Sequence, residues 1–171
     1  MFRNVTLLLW IGFYLRICVA AWNSFIEPSL GAGGDALTFH LIAVEHSYNL
    51  DIDKWGDSST HFYPLKIGWC YPYFLGVVYA ITTPALFIGC LLSVVVWTAS
   101  AYILARIMLL LSFVKSNQTI VMLIYALLPS SIFHTSVTLR EPYQLFFVNL
   151  AIYAFLKIYL NKSLVYWSVL L

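Results

Sequence analysis

From Ile67 to Ala105 the chain runs for 39 residues without a charged side chain or a histidine. A helix that crosses the hydrocarbon layer of a bilayer needs about 20 mostly apolar residues. Stretches of that kind recur at Val5–Phe25, Pro84–Ala105, Thr119–Val137 and Tyr143–Leu160, and another begins at Leu164. Only 9% of residues are charged, whereas a soluble domain carries about 25%. The expected fold is therefore all-α: a polytopic transmembrane helical bundle, one domain over residues 1–171, with the bilayer as its main partner. A net charge of +2 without any basic cluster excludes nucleic acid as a partner.

The charges sort by position. All seven acids (Glu27, Asp35, Glu45, Asp51, Asp53, Asp57 and Glu141) lie either after the first span or just before the fourth, with the four histidines in or beside those segments. Arg3, Arg106, Lys115, Lys157 and Lys162 fall at the opposite ends of the spans. The positive-inside rule then predicts a cytoplasmic N-terminus and an outer loop over residues 26–83. Two short spans between Lys66 and Arg106 would invert everything downstream. One span preceded by an interfacial helix is the preferred reading, because Trp69, Tyr71, Tyr73 and Tyr79 suit headgroup depth and Pro84 suits a first helical turn.

The basic start and Ala20-Ala21 give the N-terminus a superficial likeness to a secretory signal, but Arg16 interrupts its apolar stretch, and a retained span is expected. Cys18, Cys70 and Cys90 show no ligand spacing and read as small apolar residues. The sequons at Asn4, Asn117 and Asn161 lie at predicted cytoplasmic ends and read as chance matches. The run from Leu164 stops after eight residues, so the chain is expected to be the N-terminal part of a longer protein.

Two segments could carry chemistry. In GAGGDALTFHLIAVEH, glycines allow a close turn and Asp35 opens a short interfacial helix with Leu37, Leu41 and Val44 as its membrane-facing stripe. Asp35 reads either as an N-cap or as a general base poised at the membrane surface. His40, Glu45 and His46 read as the wet face of that helix. Asp35 and His40 stand roughly 140° apart around it, and no HxxxH or HExxH pattern occurs, so no metal site is expected. In SSIFHTSVTLREPYQ, Pro142 can start the fourth span. That leaves Arg140 and Glu141 at a helix N-terminus, either as a phosphate site or as an interfacial anchor paired locally. Tyr71 and Tyr73 belong to an aromatic belt or to a platform for sugar rings or isoprene units. Arg16, about 13–14 Å along the helix from Phe25, is too deep to be an obvious end anchor.

The segments GGDALTFHLIA, YPYFLGVVYAITTPALFIGCLLS and LPSSIFHTSVTLREPYQ together resemble the start of a glycosyltransferase of the GT-C superfamily, of the bacterial polysaccharide-assembly type. The resemblance covers nearly the whole chain through short, degenerate motifs. It implies transfer of a sugar from a polyprenyl-phosphate-linked donor to an acceptor at the outer face of a bacterial cytoplasmic membrane. It also implies Asp35 as catalytic acid–base residue, Arg140 as clamp on the donor phosphate, and Glu141, His40, Tyr71 and Tyr73 as substrate-binding neighbours. A divalent metal is compatible with the family, but members often carry an Asp-Glu pair where this chain has Asp35-Ala36. A transporter or channel subunit for lipid-linked saccharides, supported by Arg16, and a small non-enzymatic scaffold are the alternatives. Paired repeats and broken helices, which mark many transporters, are not expected here.

Overall fold

The computed structural model describes residues 3–27, 34–49 and 70–161. The apolar run from Leu164 and two parts of the outer loop, residues 28–33 and 50–69, lie outside these. Among the described residues every regular element is a helix: α1 (Arg3–Phe25), α2 (Asp35–Asn49), α3 (Cys70–Ile81), α4 (Leu86–Leu110), α5 (Lys115–Leu127), α6 (Pro129–Thr135) and α7 (Glu141–Asn161). Three helices, α1, α4 and α7, are long and apolar enough to cross a membrane, or four spans if α5 and α6 count as one. Helix α3, with 12 residues, rises only about 18 Å. That is short of the ~30 Å hydrocarbon core, in keeping with one span between Lys66 and Arg106.

Two boundaries differ from expectation. Helix α4 begins at Leu86 rather than Pro84, after an extended Ala85 that offers no side-chain cap. The expected continuous helix over 119–137 is instead two helices bent by 54°. The cause is Pro129. It has no N–H to return to the preceding turn, and its ring pushes Leu128 out of the helical region, to φ −61° and ψ 119°. The chain thus contains the kind of broken helix that the sequence reading did not anticipate.

Packing sorts the helix faces in an inside-out manner. The buried positions of α1 are Val5, Leu9, Gly12, Arg16, Ala20 and Asn23, one stripe at helical spacing that includes the polar Arg16 and Asn23. The outward positions are Leu7, Trp10, Ile11, Tyr14, Leu15 and Trp22. In α4 the buried stripe likewise carries Gly89, Ser93 and Ser100, and α7 presents Phe147, Val148, Ile152 and Phe155 outward. A chain folding in water would bury the apolar face; one that faces lipid turns small and polar groups inward, where backbones approach and hydrogen bonds form.

The contacts also fix helix directions. Gly12 meets Trp97, while Ala20 clusters with Cys90 and Val94, so α1 and α4 are antiparallel. Asn149 reaches Ser100 and Tyr143 packs near Leu92, so α4 and α7 run parallel. Arg3, Arg106, Lys115 and Lys157 consequently gather toward one end of the helices, and Glu27, Asp35, Arg140 and Glu141 at the other.

Candidate functional site

The two sequence segments meet. Thr138, in the non-helical turn between α6 and α7, donates its hydroxyl to the Ala36 carbonyl at 2.6 Å. Val137 and Leu139 pack on Ala36, with Phe39 alongside. The start of α2 thus sits on the segment leading into Arg140, 102 residues later in sequence. Asn23, Leu37, Leu86 and Cys90 complete a crevice at this junction that is too narrow for a water molecule.

Asp35 is exposed at the first position of α2 and is not its cap. Gly34, at φ 65°, takes that place, its carbonyl accepting from the Thr38 amide and hydroxyl. A side chain on residue 34 would be strained in this left-handed conformation. Arg140 is exposed, and its carbonyl caps α7 by accepting from the Tyr143 and Gln144 amides. With Pro142 lacking an N–H, only the Glu141 amide of that first turn is left to receive an anion. The local Arg140–Glu141 pair considered from sequence is not formed, and one Glu141 carboxylate oxygen is buried without a hydrogen-bond partner. No cluster of three metal-ligating side chains occurs among the described residues.

Of the expected wet face of α2, Glu45 is exposed, but His40 and His46 pack against α3. Helices α2 and α3 lie antiparallel: His46 opposes Tyr73, Ala43 opposes Gly76, and His40 opposes Tyr79. Leu37 and Leu41, the expected stripe, are exposed. His40 Nδ1 lies 2.8 Å from the Tyr79 hydroxyl. Burial holds both histidines below their usual range and pushes the Tyr79 phenol above its own, with Cys90 adding to the effect. Tyr71 is buried between Phe39 and Tyr143, ring centroids 5.6 and 5.1 Å away. Burial first, and then the Tyr143 phenol, raise its hydroxyl far above the usual phenol range. The Tyr71 and Tyr143 hydroxyls are buried without hydrogen-bond partners; Ser93 stands beside both and donates to the Gly89 carbonyl. Tyr73 is half-buried against His46.

Comparison with protein-family models, with curated proteins and with solved structures finds no match.

A second polar centre lies deeper. Arg16 is fully buried. Its Nε donates to Thr135 Oγ1 at 2.7 Å, its Nη1 to the Ala126 carbonyl at 2.8 Å and the Gly12 carbonyl at 3.0 Å, and its Nη2 to Ser131 Oγ at 3.0 Å. Ala126 belongs to the last turn of α5, whose carbonyls lack helical donors at the Pro129 break. One guanidinium therefore ties α1 to both halves of the bent pair. Its Cζ lies 3.4 Å from the Trp97 ring centroid, and Trp97 stacks on Tyr125. Tyr125 bonds Ser100 at 2.9 Å, and Asn149 joins Ser100 at 3.0 Å. Planarity and five donors make arginine suited to this place, where a lysine could not serve both helices and the indole face. Sequence spacing flagged Arg16 as too deep for an anchor; its partners, 110 to 119 residues away, left no local signal.

Proposed function

We propose that this chain is a polytopic integral membrane protein with a cytoplasmic N-terminus, working in a glycosyltransferase of the GT-C kind at the extracytoplasmic face. The observation that carries the reading is the 2.6 Å bond from Thr138 to Ala36, which holds the Asp35 turn against the segment that ends in Arg140. The two segments on which the resemblance rests are thus neighbours in space as well as similar in sequence. Outward apolar faces on α1, α4 and α7 support the membrane part of the reading.

In this reading Asp35 accepts the proton of an acceptor hydroxyl as its oxygen attacks the anomeric carbon of the donor sugar. The bond from that carbon to the phosphate oxygen breaks, and polyprenyl phosphate leaves with the electron pair. Arg140, exposed and without a carboxylate partner among the described residues, meets the charge that develops on the phosphate. No step is routed through a metal.

The test uses membranes containing the native protein, decaprenyl-phosphate carrying a radiolabelled hexose, and an alkyl glycoside acceptor. Asp35→Asn is expected to reduce product formation by about 10² or more, the usual scale for a lost general base. Arg140→Ala is expected to raise the donor KM. Full activity in Asp35→Asn removes the base assignment, and an unchanged donor KM removes the clamp.

A second reading has one observation in its favour. The bent α5–α6 pair and the buried non-helical stretch Ser136–Leu139 that follows it resemble the interrupted helices of transporters. It predicts flux of a fluorescent lipid-linked saccharide across sealed vesicles with no covalent product.

A further inference from the structure

The α2–α3 interface has a composition that neither its helical pattern nor the proposed transfer reaction requires. Its closest approach is Ala43 on Gly76, where an added Cβ would lie 3.1 Å from the Ala43 carbonyl oxygen and 2.8 Å from the His46 ring. About one turn to either side stands a histidine of α2 against a tyrosine of α3. His40 bonds Tyr79 at 2.8 Å, and His46 meets Tyr73 edge to face at 4.7 Å between centroids. Helix α3 carries no charged residue. We propose that the α2–α3 pair is an acid-released strap, in which protonation of His40 loosens α2 from α3 and from its seat on the 136–139 turn.

The argument rests on what faces His40. From α3 it meets Tyr79, with Tyr71 and Tyr73 on the same helix. Behind Tyr79 stand Cys90 of α4 and Tyr143 of α7, both uncharged groups. On α2 itself, Asp35 and Glu45 are exposed. Among the described residues no carboxylate is positioned to compensate an imidazolium, and burial is the cause that moves the His40 titration. Neutral His40 is taken as its Nε2–H tautomer, in which the Tyr79 hydroxyl donates to Nδ1. Once Nδ1 is protonated, Tyr79 must turn acceptor and its own proton loses the acceptor it had. His46 is likewise held below its usual range by burial, but it stands in the last turn of α2, where the helix dipole offsets part of the cost of a charged ring. His40 is the sensitive group.

The sign follows. His40 titrates below its ordinary 6.5 while the helices are paired, and near that value when they part. Pairing is at full strength above about pH 6.5 and weakens as the pH falls through the paired-state midpoint. The closed-to-open ratio drops by up to about tenfold per pH unit across that window.

The experiment places spin labels at Leu41→Cys on α2 and Tyr102→Cys on α4, both at exposed positions, with Cys18, Cys70 and Cys90 replaced by alanine. The full chain is held in nanodiscs, and the distance distribution is read at about pH 7.5 and about pH 5, on either side of a histidine titration. The strap predicts a second, acid-populated distance, and its loss in His40→Gln, whose amide oxygen still accepts from Tyr79. A distribution that stays within about twofold between the two pH values, or a shift of equal size in His40→Gln, overturns the proposal. NMR of histidine-labelled protein with its native cysteines gives an independent check. A His40 midpoint at or above 6.5, or one that does not coincide with shifts in the α2 amides, also overturns it.

Discussion

At Arg16 the conservative substitution is expected to be the more damaging one. The guanidinium makes three hydrogen bonds to other helices, at Ala126, Ser131 and Thr135. Interhelical hydrogen bonds in membrane proteins average about 0.6 kcal/mol and reach about 1.7, so three contribute about 2 to 5 kcal/mol. A desolvated contact with the face of Trp97 adds about 2 kcal/mol. Arg16→Met forfeits all of this but also removes a buried charge, and eliminating that desolvation offsets much of the loss. Arg16→Lys keeps the charge in a more strongly hydrated form, cannot reach both helices and the indole face together, and gains nothing in return. We expect Arg16→Lys to lower unfolding free energy by about 3–5 kcal/mol, a loss on the scale of breaking a buried ion network, and Arg16→Met by less. Steric-trapping or denaturant unfolding in bicelles measures both, with Trp97 fluorescence as a local reporter. Arg16→Lys within about 0.5 kcal/mol of wild type, or Arg16→Met as the worse of the two, refutes the reasoning.

Other substitutions probe the contacts around these two centres. Gly12→Ala puts a Cβ 2.8 Å from the Trp97 ring and 3.1 Å from Ala126 Cβ. Trp97 is fully buried and stacked, so overpacking by about 1–3 kcal/mol is expected in the same unfolding assay, with altered indole fluorescence. Thr138→Val removes the hydroxyl that holds Ala36 while preserving shape, a loss of about 1 kcal/mol in stability. In the transferase assay the same variant is expected to lower kcat with little change in donor KM, since Arg140 is untouched; a KM effect alone contradicts that assignment. Asn149→Leu leaves the Ser100–Tyr125 pair in place and is expected to cost under about 1.7 kcal/mol, the upper range for such bonds in membranes.

Much of the architecture was legible in the chain itself. Three of the expected spans appear as the long apolar helices α1, α4 and α7, since a 23- or 25-residue apolar helix is largely a local property of its own residues. The sorting of acids and bases marked which helix ends lie together, because charges collect where helices leave the apolar layer. Pro129 announced the bend at Leu128, although residue counting alone read through it. The aromatic run before Pro84 was correctly too short and too polar at its start to be another long helix.

Tertiary structure decided what each polar residue does. His40 and His46 have spacing that fits a wet helix face, and only the antiparallel approach of α3, whose residues follow more than 20 positions later, turns that face inward. The start of α2 meets the segment before Arg140 because Thr138 reaches a carbonyl 102 residues earlier in the chain. Arg16 has meaning only through carbonyls and hydroxyls freed at a distant helix break. Hydropathy acts residue by residue, so sequence determines which segments are helical and which solvent they suit. Hydrogen bonds between helices depend on rotation and crossing about axes that no local pattern encodes, and only the packed chain settles them.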